Sequence, residues 1–245
     1  MIAAEKHNFL DVLFYFYLRR ALRRRFYRVS IRGLKHLAEL DAARPTLAFS
    51  NHTNWWDGLA VFFLTRFARQ KSFFCMMEEK QLKHYRFFTW IGAFSVDLST
   101  PLRAAATIRY AVKLLQKPET LIWIFPQGKM TSVYLPVEVR QGTHYLATHA
   151  AGAQMLPVAF RYEFFREDRP ELLIEIAAPF SALESSDERI EREIKACVAA
   201  LEASARAEDF TGFETVLRPR LTINKQWERV RLFFQGRLAE FNPHN

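Results

Sequence analysis

His52 and Asp57 stand five positions apart in the stretch Asn51-His52-Thr53-Asn54-Trp55-Trp56-Asp57. A neutral imidazole is the side chain best suited to take a proton near neutral pH. A carboxylate bonded to its second ring nitrogen fixes the tautomer and stabilises the imidazolium that forms. On a regular helix, positions five apart point about 140° away from each other. The two side chains therefore meet only if His52 lies in the turn before a helix. Asn54 is a good N-cap, which would place His52 outside that helix and Asp57 in its first turn. The same spacing is also ordinary helix-start chemistry, with a carboxylate at the positive end of the dipole and His52 a turn residue. Spacing alone weighs the two readings equally.

The flanking segments supply the turn. Residues 45–50 form an apolar run that predicts a buried strand, and 58–67 an apolar helix with Leu59, Phe62, Phe63 and Phe67 at helical spacing. Functional groups favour such strand ends in α/β folds. Val29-Ser30-Ile31-Arg32 alternates and reads as a short strand ending at Gly33. Further strands are expected over 71–77, in 90–97 after a turn, and over 120–125, 154–160 and 172–176. Pro157 argues that 154–160 lies at an edge or starts a strand. Pro101 opens a helix with Leu102, Ala105, Ile108, Val112 and Leu115 as its apolar stripe. A helix is expected over 142–151. Ser185 and Glu188 have capping-box spacing for a helix reaching about Arg206, with Ile190, Ile194, Val198 and Leu201 buried. The segment 223–241 puts Trp227, Val230, Phe234 and Leu238 on one face, either a packing helix or a surface that lies on a membrane. Alternating strands and helices predict an α/β sandwich with a mainly parallel central sheet between helices. It forms one domain over 29–245, comprising a core at 29–178 and C-terminal helices at 184–241, behind an N-terminal amphipathic helix in 1–28.

Composition narrows the partners. The chain has 245 residues, a net charge of +9 and 15% aromatic residues, 23 of them Phe. Such a chain could meet nucleic acid or an anionic membrane. No RNA-recognition signature or basic repeat is present, so nucleic acid has charge alone in its favour and is set aside. The helix expected over 7–27 is aromatic in its first half and carries Arg19, Arg20, Arg23, Arg24 and Arg25 in its second. This predicts an interfacial anchor on anionic lipids, with a core-packing helix bearing solvated arginines as the alternative. Its apolar run, 9–18, is too short to span a bilayer and precedes the basic cluster, the reverse of a secretory signal. Cys75 and Cys197 read as buried free thiols in a reducing compartment, and the seven histidines are too scattered for a metal site. Trp55 and Trp56 read as core, with a wall of an acyl channel or an interfacial anchor as the alternatives.

Further blocks carry a resemblance. Asn51-His52 with Asp57, Gly92 with Phe94-Ser95-Val96-Asp97, Phe125-Pro126-Gln127-Gly128, and Gly142 followed by Leu156-Pro157-Val158-Ala159 occur in that order. Together they resemble the glycerolipid acyltransferases, a PlsC-like family with a His-x4-Asp motif whose best-known members acylate lysophosphatidate. The resemblance covers about residues 29–178. It implies that His52, assisted by Asp57, deprotonates a lipid hydroxyl, which attacks the thioester of acyl-CoA or acyl carrier protein at the mouth of an apolar groove. It implies neither a covalent intermediate, nor a cofactor, nor a metal. Asn51, Phe125, Pro126, Gln127 and Gly128 become candidate substrate-binding residues, and backbone amides near Gln127 and Gly128 candidate oxyanion donors. The expected location is peripheral, on the cytoplasmic face of the cell membrane.

Departures from the family pattern bear on the acceptor. Gln127 stands where Glu is usual, Met130 where an arginine is tied to the acceptor's phosphate, and Leu98 where Asp97 would be followed by arginine. Lys129 or Arg103 is expected to substitute, although lysine lacks the fork that suits phosphate. Gln127 is either a neutral stand-in making the same hydrogen bonds or the sign of an atypical acceptor such as a glycolipid or carotenoid glycoside. A non-catalytic lipid-binding module of the same fold is the other alternative, and the intact His52 and Asp57 argue against it.

Overall fold

Runs such as Thr46–Ser50 and Thr120–Ile124 are buried at every position, which requires cover on both faces of the sheet. The structure is a computed structural model and describes residues 1–97, 99–140, 142–150, 152–217 and 223–240. Leu98 and the expected helix ends at Ala151 and Phe241 lie outside the described residues. In chain order the elements are α1 (Asn8–Arg25), β1 (Val29–Arg32), α2 (Leu34–Ala38), β2 (Thr46–Ser50), α3 (Trp56–Leu64), β3 (Ser72–Glu78), α4 (Glu79–His84) and β4 (Ala93–Val96). There follow α5 (Pro101–Leu114), β5 (Thr120–Ile124), α6 (Gly142–His149), β6 (Gln154–Glu163), β7 (Glu171–Ile176), β8 (Phe180–Ser181), α7 (Asp187–Ala207), β9 (Phe213–Leu217) and α8 (Ile223–Phe234).

Among the described residues one sheet runs β4-β3-β5-β2-β6-β7-β1-β9, with β8 beside β6. Pairing is parallel from β4 through β6 and between β7 and β1, and antiparallel where β6 meets β7 and β8 and where β1 meets β9. Successive side chains point to opposite faces, and each face has its own helices. Ala48, Leu121, Trp123, Val158 and Phe160 pack with α1 and α3. Leu47, Phe49, Ile122, Ile124 and Met155 pack with α5, α6 and α7. The expected α/β sandwich is therefore the fold. Because β2 lies between β5 and β6, the ends of these strands converge on the turn that carries His52.

Several local expectations are corrected. Pro157 lies inside β6, with β2 paired along its flank, and not at an edge or strand start. Its carbonyl accepts from Ala177 N–H at 3.0 Å, so its ring nitrogen faces the same side. There β6 meets β8 through Gln154 and Met155 and β7 only from Val158, and the missing donor falls in the gap. On α5, Leu102 is exposed, and the buried stripe is Thr107, Ala111 and Leu115, flanked by Ile108 and Val112. The cap of α7 is Ser186, whose Oγ accepts from Arg189 N–H, one residue after the expected Ser185. Val198 is only partly buried, and Cys197 occupies the buried stripe beside it.

Helix α1 divides its aromatics. Leu18 and Leu22 are fully buried and Phe14 and Tyr15 pack on the core, whereas Phe9, Leu13, Phe16 and Tyr17 are exposed. Trp227, Val230 and Phe234 of α8 and Leu238 beyond it are exposed as well. No helix among the described residues is long and apolar enough to cross a membrane.

Gly92 joins the Trp90–Ile91 turn to β4 at φ 103°, and a Cβ there would stand 2.4 Å from the Phe73 carbonyl oxygen of β3. Gly92→Ala is expected to lose about 2 kcal/mol or more in chemical denaturation, from both strain and clash. Gly58→Ala, with nothing within 4 Å of its added carbon, is expected to hold or gain up to about 1 kcal/mol as a helix-interior replacement. Equal midpoints for the two variants would contradict the assignment.

Candidate active site

Asp57 is fully buried at the start of α3, and its carboxylate is satisfied by four donors. Oδ2 accepts from Thr53 N–H at 2.7 Å and Asn54 N–H at 2.8 Å, and lies 2.9 Å from His52 Nδ1. Oδ1 accepts from the Tyr162 hydroxyl at 2.6 Å. Because Oδ2 offers only lone pairs, the proton of the His52 pair sits on Nδ1, and Nε2 is left as an acceptor. No described residue bonds Nε2, and the ring is partly exposed. Both sequence readings of the stretch hold together: Asp57 serves the helix start and also orients the histidine. The cap is shifted. The helix begins at Trp56 with Trp55 as its assigned N-cap, and Asn54 contributes by accepting from Trp56 N–H through Oδ1 at 3.1 Å.

The blocks that converge on His52 do different jobs. The Phe125 ring stacks on the imidazole with centroids 4.2 Å apart. Gln127 is buried; its Oε1 accepts from His52 N–H at 2.7 Å and its Nε2 donates to Thr131 Oγ1 at 2.5 Å. Thr131 N–H in turn donates to the His52 carbonyl at 2.9 Å. Gln127 thus braces the turn through a bond that a glutamate could also accept at His52, the conservative reading of this departure. The Pro126 carbonyl accepts from Arg140 N–H at 3.0 Å, which ties the following loop to the block.

Other candidates are set apart. Asn51 is 2% exposed, and its side chain both donates to the Phe160 carbonyl at 2.9 Å and accepts from Phe160 N–H at 2.8 Å. It continues the β2–β6 ladder by one rung, so its amide is scaffold and not a substrate contact. Gly128 N–H donates to the Phe125 carbonyl at 2.9 Å and is spent as an oxyanion donor. Gln127 N–H has no described partner. Arg103 pairs with Asp97 at 2.8 Å beside the edge strand β4, separated from β2 by β3 and β5. Asp97 is held well below the usual carboxylate range by bonds from Ser99 and Arg103. Lys129 and Met130 are exposed on the loop beside His52. The cavity behind this loop is about 20 Å³, room for one water and not for the expected acyl chain.

Tyr162 was not legible in the sequence as a site residue. It lies two positions beyond Phe160 on the same face of β6, and no local motif marks it. Burial and the nearby Asp57 carboxylate push its phenol well above the ordinary value, so it remains a hydrogen-bond donor. The two tryptophans part ways. Trp56 packs against Phe26 with centroids 5.3 Å apart, while Trp55 is 64% exposed and is not core. Burial pushes the Cys75 and Cys197 thiols up to about 12, so neither offers a thiolate near neutrality.

Gln127→Leu keeps the volume but leaves the His52 N–H without its acceptor. A loss of about 1–3 kcal/mol is expected in denaturant unfolding. An unchanged midpoint would show that the brace contributes nothing.

Comparison with known proteins identifies the family. The family model described as Acyltransferase matches residues 28–161, ending one residue before Tyr162. Among solved structures the chain is similar to the crystal structure of the 1-acyl-sn-glycerophosphate (LPA) acyltransferase, PlsC, from Thermotoga maritima. The TM-score is 0.59 at 16% sequence identity, covering 79% of this chain and 80% of that one. No curated protein matches the chain. With more than half of its length in the family model, and its histidine, carboxylate and Phe-Pro-Gln-Gly turn assembled where the central strands β2 and β5 end, the chain belongs to the acyltransferase family.

Proposed function

We propose that this acyltransferase moves a fatty acyl group from acyl-CoA or acyl carrier protein to a hydroxyl of a lysophospholipid or related lipid, with His52 as general base. The observation that carries the reading is the His52 ring, locked by Asp57 at Nδ1 and open at Nε2. The acceptor hydroxyl gives its proton to Nε2 as its oxygen attacks the thioester carbonyl. The tetrahedral oxyanion collapses, the C–S bond breaks, and the imidazolium returns the proton to the departing thiolate. Gln127 N–H, without a partner among the described residues, is the candidate oxyanion donor. Lysophosphatidate as acceptor draws support from the Thermotoga maritima protein, which is described as acting on it.

The reaction is proposed to take place on a membrane surface. Positions 9, 13, 16, 17, 20 and 24 fall on one stripe of α1, about 100° wide. They are Phe9, Leu13, Phe16, Tyr17, Arg20 and Arg24, all exposed. An aromatic half followed by a basic half on one face suits a helix lying in the headgroup region of an anionic bilayer. Met130, Val133, Tyr134 and Leu135, on the loop beside His52, are exposed apolar residues as well. Peripheral attachment at the cytoplasmic face follows as part of this reading.

Two measurements test it. With acyl-CoA and a panel of lysolipids, His52→Ala is expected to lower kcat on the order of 10²–10⁴-fold. Tyr162→Phe, which removes one charge-assisted bond from Asp57, is expected to lower kcat about tenfold with KM little changed. Wild-type rates in His52→Ala would exclude the mechanism, and turnover confined to lipids without phosphate would move the acceptor to that class. For the membrane, Phe9→Ser with Leu13→Ser and Phe16→Ser is expected to cut partitioning onto anionic vesicles more than tenfold. These exposed sites are preferred to truncation because Leu18 and Leu22 belong to the core. Unaltered co-sedimentation would refute the anchor.

A further inference from the structure

The acceptor and donor proposed above both carry phosphate, yet the arginines expected to receive it are absent from their usual positions. We infer that Arg140, with Lys129, forms the phosphate-binding site of this active centre. The inference rests on the acyl-transfer reading for the identity of its ligands.

Three observations converge. First, Arg140 is fixed although it is exposed. Its backbone N–H donates to the Pro126 carbonyl at 3.0 Å. Its Cδ, Nε and Cζ lie 3.0, 3.1 and 3.4 Å from where a Cβ on Gly128 would stand. The side chain therefore lies across the bare backbone of Gly128, a residue whose φ of 68° also favours glycine. Second, the place is right. Gly128 follows Gln127, which holds His52 N–H, and Phe125 of the same turn stacks on the His52 ring.

Third, neither cation has an ion-pair partner among the described residues, whereas Arg103 and Arg161 are neutralised. Arg103 is held by Asp97 and Arg161 by Glu163. A guanidinium positioned in advance and left without a carboxylate has its fork of donors available for two phosphate oxygens. Lys129, next in sequence to Gly128, adds a second positive charge. The nearest acidic neighbour in sequence, Glu138, is exposed and pairs with neither. Arg103, the other cation expected from the sequence beside Lys129, has no such freedom.

Phosphate can arrive on the acceptor's headgroup or on coenzyme A, and the test separates the two. Titration calorimetry would use the full chain with coenzyme A and, separately, with micellar lysophosphatidate, and with monoacylglycerol as the ligand lacking phosphate. For Arg140→Ala an affinity loss of about tenfold or more is expected for at least one phosphate ligand, with monoacylglycerol unaffected. Arg140→Lys is expected to recover only part of it. Loss on lysophosphatidate assigns the site to the acceptor, and loss on coenzyme A assigns it to the donor. Affinities within twofold for both ligands in a folded Arg140→Ala/Lys129→Ala variant would overturn the inference, as would failure of the wild type to bind either. Wild-type binding without turnover of any lysolipid would instead count against the proposed function.

Discussion

A fully buried carboxylate is the constraint on which this site depends. Stripped of partners, Asp57 would cost several kcal/mol to bury. It is instead surrounded by four donors: two loop amides, an imidazole and a phenol. Each donor dictates something about the chain around it. The two amides require residues 53 and 54 to fold back over the start of α3. The imidazole must present Nδ1–H, which fixes where its reactive nitrogen points. The phenol must arrive from β6, so the sheet has to bring residue 162 to within hydrogen-bond distance of residue 57. The positive end of α3 adds to the same arrangement.

Two side-chain amides then do work normally left to backbone. Asn51 continues the β2–β6 ladder by bonding both groups of Phe160, and Gln127 closes the turn over His52. Both are almost fully buried, where an amide serves well because it donates and accepts without carrying charge. The Gln127 brace also limits what its departure from glutamate implies. Its oxygen faces an N–H that any acceptor of that shape would satisfy. The change therefore bears on the turn, and a phosphate on either proposed substrate would meet the cations of the neighbouring loop.

The layered fold was legible because its causes are local and periodic. Continuous apolar runs mark strands covered on both faces, and residues spaced by three and four mark the helices between them. The His52–Asp57 pair was only half legible, since its spacing suits a helix start equally well and the later Phe-Pro-Gln-Gly block was needed to favour the pairing. Tyr162 was not legible, because its partner lies 105 positions away and only the register of β6 brings them together. Asn51 and Arg103 show the opposite failure. Block membership or proximity marked them as substrate contacts, while burial assigns one to the sheet and an aspartate claims the other. Pro157 was misplaced because an edge was sought along a whole strand. The sheet needs only a gap one residue long, and the switch from β8 to β7 provides it.

The same economy joins the proposed membrane surface to the site. Leu18 and Leu22 bury one face of α1 completely, so the helix is part of the core as well as a surface feature. At its end Phe26 packs against both Trp56 and Tyr162, the neighbour and the donor of Asp57. An anchor on a flexible tether would leave the His52 side free to turn in any direction relative to a bilayer. An anchor whose far end packs on the residues that hold the base has no such freedom, because rotating α1 would unpack Trp56 and Tyr162. On the proposed membrane reading, the orientation of α1 on a surface thereby fixes the orientation of His52 relative to that surface.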